Sequence, residues 1–203
     1  MAVLRFPDED RKIDGESQIR DELASLGIDY ERWSLDRVGA DASAVDVLKA
    51  YANEIEEMKR RGGYVTADVI DVNPSTPNLE TMLARFDKEH THSEDEVRFI
   101  LAGRGIFFLA LEGRVASVEV GPGDMLRVPR GTTHWFTLCE ERRIRAIRFE
   151  ESASTQNRGG HCGKVAIADI VVEHRKGFFS PRHGVAFRHD SHATATEQGN
   201  GRG

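Results

Sequence analysis

The side chains best suited to chemistry in this 203-residue chain are its eight histidines, of which only three fall in the first 150 residues: His90, His92 and His134. The first two stand in KEHTHSEDEVRFILAGRG, with Glu96 four residues beyond the second. His90, His92 and Glu96 share one parity, so in a near-extended segment their side chains fall on one face and can converge. Arg98 continues that parity. His134 follows a strand-like run and a Pro-x-Gly turn in GDMLRVPRGTTHWF, where a hairpin partner would bring it against the first three. Three neutral imidazoles and one carboxylate suit Fe(II), Ni(II), Mn(II) or Zn(II), with two positions left open if the ion is octahedral. An H-x-H pair alone carries little weight. Here a carboxylate and a distant histidine join it, and every histidine of the first 150 residues is used. We therefore expect His90, His92, Glu96 and His134 to hold a metal ion.

The elements that must position these residues are readable from periodicity. SQIRDELASL (17–26) puts Ile19, Leu23 and Leu26 on one helix face, with Gly27 as the stop. Residues 43–61 predict a second helix with Val45, Leu48, Ala52 and Ile55 on its stripe. Lys59, Arg60 and Arg61 sit in its last turn and Gly62-Gly63 ends it. A short third helix follows Pro77, with Leu79, Leu83 and Phe86 facing inward. From residue 96 the period changes to two. EVRFILAG, GIFFLAL, VASVEV, DMLRVP, HWFTL and RIRAIRF are short strand-like runs separated by glycine-containing turns, and YVTADVIDV (64–72) adds another. This pattern predicts a mainly β protein, an antiparallel barrel or sandwich, with helices on its N-terminal side.

Composition narrows the class. With 39% hydrophobic and 31% charged residues the chain is globular, and its net charge of −6 argues against a nucleic-acid-coating role. No run approaches the about 18 apolar residues of a membrane helix. The opening MAVLRFPDEDRK has no signal-peptide core, and only Cys139 and Cys162 are present, so a cytoplasmic, disulfide-free protein is expected. Residues 1–150 read as one domain that needs no partner, hence as a monomer. Residues 151–203 carry eight of the nineteen glycines and end in DSHATATEQGNGRG, which predicts a partly disordered extension.

The same residues carry a family resemblance. H-x-H-x3-E-x6-G (His90, His92, Glu96, Gly103) resembles the first cupin motif, and G-x5-P-x-G-x2-H (Gly123, Pro129, Gly131, His134) resembles the second. A cupin-type double-stranded β-barrel, or jelly roll, is implied. YERW (30–33), Tyr64 with DVI (68–70), FDKEHTHSEDEVRF (86–99), PRGTTHWF (129–136) and AIR (146–148) narrow the resemblance to the acireductone dioxygenases, over about residues 16–149.

That resemblance implies a substrate, 1,2-dihydroxy-3-keto-5-methylthiopentene, cleaved with O2 in methionine salvage. The implied cofactor is Fe2+, giving 4-methylthio-2-oxobutanoate and formate, or Ni2+, giving 3-methylthiopropanoate, formate and carbon monoxide. It places Arg98 against the substrate, Phe86 and Phe136 on the pocket wall, and Arg148 in a supporting electrostatic role. Trp135, of opposite parity to His134, is expected to pack. Asp95 and Glu94 read as solvated carboxylates or acceptors for imidazole N–H groups, and Glu89 as a possible base that we do not assign. Family members continue after AIR with an Asn-Pro segment and a pocket-closing Trp. Here Trp33 and Trp135 are the only tryptophans, so that residue is missing from the tail, with Phe178 or Phe179 as its conceivable substitute. Two other readings stay open: a cupin dioxygenase for another enediol or diketone, and a non-catalytic metal-binding cupin.

Overall fold

The computed structural model describes residues 1–111 and 113–151; the predicted C-terminal extension lies outside them. The elements run β1 (Val3–Phe6), β2 (Arg11–Ile13), α1 (Glu16–Ser25), β3 (Asp29–Arg32), α2 (Ala44–Ala50), α3 (Ala52–Gly62) and β4 (Thr66–Val72). They continue as α4 (Leu79–Phe86), β5 (Glu96–Gly103), β6 (Gly105–Leu111), β7 (Arg114–Val120), β8 (Asp124–Val128), β9 (Thr133–Leu138) and β10 (Ile144–Glu150). Two five-stranded antiparallel sheets result, ordered β2-β1-β7-β6-β9 and β3-β8-β5-β10-β4. This is the mainly β, cupin-type barrel that the sequence implied.

Alternation along the strands builds two separate cores. In β5 and β10, Ile100, Ile144 and Ala146 face the space between the sheets, where they join Leu4, Phe6, Phe107, Leu109 and Leu126. The residues of opposite parity, Val97, Phe99, Ile147 and Phe149, face outward and are covered by Val47 of α2, Ile55 and Met58 of α3, and Tyr51 between the two helices. The second sheet is thus buried on both faces. The polar residues Glu96, Arg98 and Arg148 share the parity of the inter-sheet core, which places them where a ligand would be enclosed.

Two expectations change. Strands β1, β2 and β3 extend both sheets, where only helices were expected N-terminal to residue 64. β1 pairs with β7 and β3 with β8. The helix predicted over 43–61 is two helices joined at Tyr51, and its stripe is Val47, Tyr51, Ile55 and Met58, while Val45 is 73% exposed. Apolar residues at 45, 47, 48, 51, 52, 55 and 58 allow two overlapping stripes. The one that buries the Tyr51 ring, 5.0 Å from Phe99 and with its hydroxyl on Ser34 O at 2.8 Å, removes more apolar area from water. Helix α3 ends as predicted, with Gly63 left-handed at φ 75° and its N–H on Lys59 O.

The cupin-motif glycine that ends β5 has a steric reason. Gly103 adopts φ 74°, and a Cβ there would stand 1.9 Å from the carbonyl oxygen of Arg143. The tight turn from β5 into β6 runs against the loop before β10, and only glycine fits.

Candidate metal centre

Helix α4 ends at Phe86, and the following segment runs near-extended through His90 and His92. His90 forms an isolated antiparallel bridge with His134 at the start of β9: His90 N–H donates to His134 O and His134 N–H to His90 O, both at 3.0 Å. Gly131 N–H donates to His92 O at 2.9 Å. The chain then bends at Ser93-Glu94 before entering β5 at Glu96. That bend, together with the shared parity, aims Glu96 back at the imidazoles.

The three rings lie close together, with centroids 4.7 Å apart for His90–His134, 4.9 Å for His90–His92 and 5.1 Å for His92–His134. One ligand atom from each of His90, His92, Glu96 and His134 lies within 4.8 Å of all the others. Ligands about 2.1 Å from an ion stand about 3 Å apart when adjacent and about 4.2 Å apart when opposite, so this spacing suits a single shared ion. Glu96 Oε2 is 2.9 Å from His92 Nε2 and 3.1 Å from His134 Nε2.

The outer ring nitrogens are already committed. His90 Nδ1 is 2.7 Å from Lys88 O and His134 Nδ1 is 2.8 Å from Thr132 O. A carbonyl accepts only, so each Nδ1 carries a proton, and in the neutral ring each Nε2 holds the lone pair that faces inward. His90 Nε2 is buried with no hydrogen-bond partner among the described residues. Leaving a buried acceptor unmet is costly, and a divalent cation is what this donor set accommodates.

Burial and neighbouring charge shift three of these groups, not all in one direction. Burial pushes the Glu96 carboxyl up, but Arg98 and the two imidazoles outweigh it and hold Glu96 well below the usual carboxylate range. Burial lowers His90 below the ordinary imidazole value, which favours the neutral ligand form. For His134 burial also pulls down, yet the adjacent Glu96 carboxylate prevails and raises it.

A cavity of about 230 Å3 opens beside this cluster. Each sequence-named pocket residue, Arg98, Phe86, Phe136 and Arg148, lines it. Arg98 Nη2 is 3.4 Å from Glu96 Oε1, and burial lowers its guanidinium from the ordinary arginine value without approaching neutrality at working pH. Arg148 stands opposite Arg98 in the β5–β10 pairing, with Asp68 of β4 opposite it on the other side. Asp68 grips it with two bonds of 2.9 and 2.6 Å, and Glu150 lies 3.2 Å away. Arg148 is therefore an enclosed residue of the cavity wall and not a solvent-facing one.

Other assignments resolve as follows. Trp135 packs as expected, its ring stacked on Phe108 at 5.1 Å. Glu89 is exposed and is absent from the cavity wall. Asp95 corrects the expectation of a solvated carboxylate: it is 7% exposed and accepts bonds from Tyr64, Arg127 and the Arg130 backbone, while the Nδ1–H groups of His90 and His134 go to main-chain carbonyls. Sequence reasoning missed Ile70, Val72 and Met82, which form much of the apolar wall. Their signal, parity within a predicted strand or helix, does not separate a cavity wall from a core.

Comparison with known proteins agrees with this geometry. The family model described as ARD/ARD' family matches residues 7–156. The chain belongs to the ARD/ARD' family. An acireductone dioxygenase of Exiguobacterium sibiricum is 37% identical over 159 residues, covering 73% of this chain and 89% of that one. Another, from a Sulfurihydrogenibium species, is 35% identical over 157 residues, covering 73% and 88%. Among solved structures, an acireductone dioxygenase from Bacillus anthracis, with a cadmium ion in its active centre, aligns with a TM-score of 0.72 at 34% identity, over 75% of this chain and 94% of that one. ARD/ARD' membership makes the chain an enzyme, an oxidoreductase of the dioxygenase class. No helix among the described residues is long and apolar enough to cross a membrane.

Proposed function

We propose that this ARD/ARD' family member cleaves acireductone, 1,2-dihydroxy-3-keto-5-methylthiopentene, with O2 as a step of methionine salvage in the cytoplasm. With Fe2+ the products are 4-methylthio-2-oxobutanoate and formate; with Ni2+ they are 3-methylthiopropanoate, formate and carbon monoxide. In this reading residues 1–150 are the catalytic barrel domain of a monomer and residues 151–203 a divergent extension. The observation that carries it is the make-up of one cavity, whose lining combines three members of the four-ligand cluster, the guanidiniums of Arg98 and Arg148, and apolar side chains.

His90, His92, Glu96 and His134 hold the ion. When bound, Fe2+ or Ni2+ would supply Lewis acidity toward the enediol. Arg98, cationic throughout the working range, donates to a substrate oxygen and favours the deprotonated enediol over the neutral one. Arg148, held by Asp68 and Glu150 and opposite Arg98 in the sheet, has a supporting electrostatic role. Phe86 and Phe136, with Ile70, Val72 and Met82, take the methylthio tail and exclude water, which strengthens each electrostatic contact nearby.

The test is to strip the full-length protein of metal, reload it with Fe(II) or Ni(II), and supply acireductone under oxygen. Oxygen uptake, loss of the enediolate ultraviolet absorbance and metal-dependent products are expected, and Glu96→Ala should lose both metal and turnover. Absence of turnover with either ion in folded, metal-loaded protein refutes the proposal and leaves a non-catalytic metal-binding cupin. Equal reaction of an analogue lacking the methylthio end favours a dioxygenase of broader enediol or diketone specificity.

A further inference from the structure

Resting on the reading that His90, His92, Glu96 and His134 hold the metal, we propose that Asp95 is a positioning residue: it clamps the two ligand-bearing segments together, so that metal affinity depends on a carboxylate outside the ligand set.

The two segments, His90–Glu96 and Pro129–His134, lead into β5 and β9, which belong to different sheets. Between His92 and Glu96 the chain is a bend without strand pairing, so nothing in the sheet fixes its path. Asp95 fills that role. Its Oδ1 accepts the backbone N–H of Arg130 at 2.9 Å, and its Oδ2 accepts Arg127 Nε at 2.7 Å and the Tyr64 hydroxyl at 3.0 Å. The next amide, Gly131 N–H, donates to His92 O. Two consecutive amides of one ligand-bearing segment are thus held by the other. Glu151 closes a ring around them: its carboxylate accepts the Asp95 backbone N–H at 3.1 Å and pairs with Arg130 Nη2 at 2.7 Å. The ring is anchored to β8 through Arg127, which also reaches Asp29 at 2.8 Å.

The molecule contains its own control. Asp124, fully buried, accepts the same three kinds of donor: the Tyr30 hydroxyl at 2.8 Å, the Gly121 backbone N–H at 2.8 Å and the Arg32 guanidinium. Its partners lie on β3 and the turn before β8, and none belongs to a ligand-bearing segment. Loss of either aspartate strips a buried carboxylate from a tyrosine, an arginine and an amide. Only loss of Asp95 frees the ligands.

Full-length Asp95→Asn, Asp124→Asn and Glu96→Ala are purified, stripped of metal and shown to be folded by circular dichroism. Ni(II) affinity is then measured by chelator competition, and the Co(II) ligand-field absorption is recorded. Outer contacts of metal ligands typically govern affinity by about 10–100-fold. Asp95→Asn should weaken Ni(II) binding in that range and shift the Co(II) bands, while Asp124→Asn loses thermal stability but binds within about twofold of wild type. Wild-type affinity and bands in Asp95→Asn, or equal losses in both variants, overturn the proposal. If Asp95→Asn does not fold, Tyr64→Phe, which removes one bond to Oδ2, should weaken Ni(II) several-fold, and unchanged affinity overturns it. Glu96→Ala separates the two levels of inference: if it binds Ni(II) as wild type does, the ligand reading itself has failed.

Discussion

Gly105 opens β6 directly against the ring of Phe136, a residue of the cavity wall, and replacing it with alanine tests how tightly that wall is built. A Cβ there would stand 2.2 and 2.4 Å from Cζ and Cε2 of Phe136 and 3.0 Å from Thr137 O. Carbon atoms settle at about 3.5 Å, so the ring edge must retreat by about 1.3 Å. It has little room on the core side, because Phe107 packs against it at 4.8 Å between centroids. The open direction is the cavity. Overpacking of this kind costs about 1–3 kcal/mol, and a ring driven into the substrate space should raise KM for acireductone while metal content stays unchanged. The assay is urea unfolding of Gly105→Ala, Phe136→Leu and the double variant. A leucine lacks the Cζ and Cε2 atoms that collide, so the double variant should recover at least about 1 kcal/mol relative to the sum of the single losses. Additivity within about 0.5 kcal/mol would show that the Phe136 ring does not receive the strain and would refute the reasoning.

Two further outcomes are expected. Gly103→Ala combines a left-handed backbone with a clash against the Arg143 carbonyl and should cost about 3 kcal/mol or more, read as lost soluble yield or a lower urea midpoint. Gly131→Ala, equally left-handed at φ 77° but facing open space, should cost only about 1 kcal/mol, and equal losses would remove the clash argument. For Glu31, burial raises the carboxyl, but Arg61 at 2.6 Å and Trp33 Nε1 at 3.0 Å outweigh it and hold it below the ordinary range. A lowered folded-state value means stability present above the unfolded carboxylate pKa of about 4.3 and lost as pH falls through the folded value. Glu31→Gln should therefore be less stable than wild type at neutral pH and approach it in acid; a gap that persists undiminished at the lowest pH contradicts the assignment.

The ligand set was legible because its residue types are scarce: with three histidines in 150 residues, any convergent site had few ways to form. Strands from residue 64 onward were legible because one face of each meets the inter-sheet core, which enforces alternation. β2 and β3 were not, since RKI and DYER are too short and too charged to show a period, and pairing with neighbours alone makes them strands. The apolar cavity wall was illegible for a different reason. Ile70 faces a void and Ile100 a packed neighbour, yet the two are identical in type and alternation. Asp95 was misjudged because its partners, Tyr64, Arg127 and Arg130, are 31 to 35 residues distant in sequence. No local pattern announces a tertiary hydrogen bond.

His134 belongs to the sheet ending in β9, and Glu96 to the sheet containing β5. An ion held by both is a rivet driven through the sandwich, added to the main-chain bonds of His134, Gly131 and Arg130 that already tie the two ligand-bearing segments together. Its departure leaves those bonds alone against any gap opening between the layers there. Loading with metal would in turn hold that gap shut, stabilising the fold in proportion to the logarithm of free metal concentration. The barrel would then be at its most rigid where substrate is handled, and would loosen from that edge first when the ion is withdrawn.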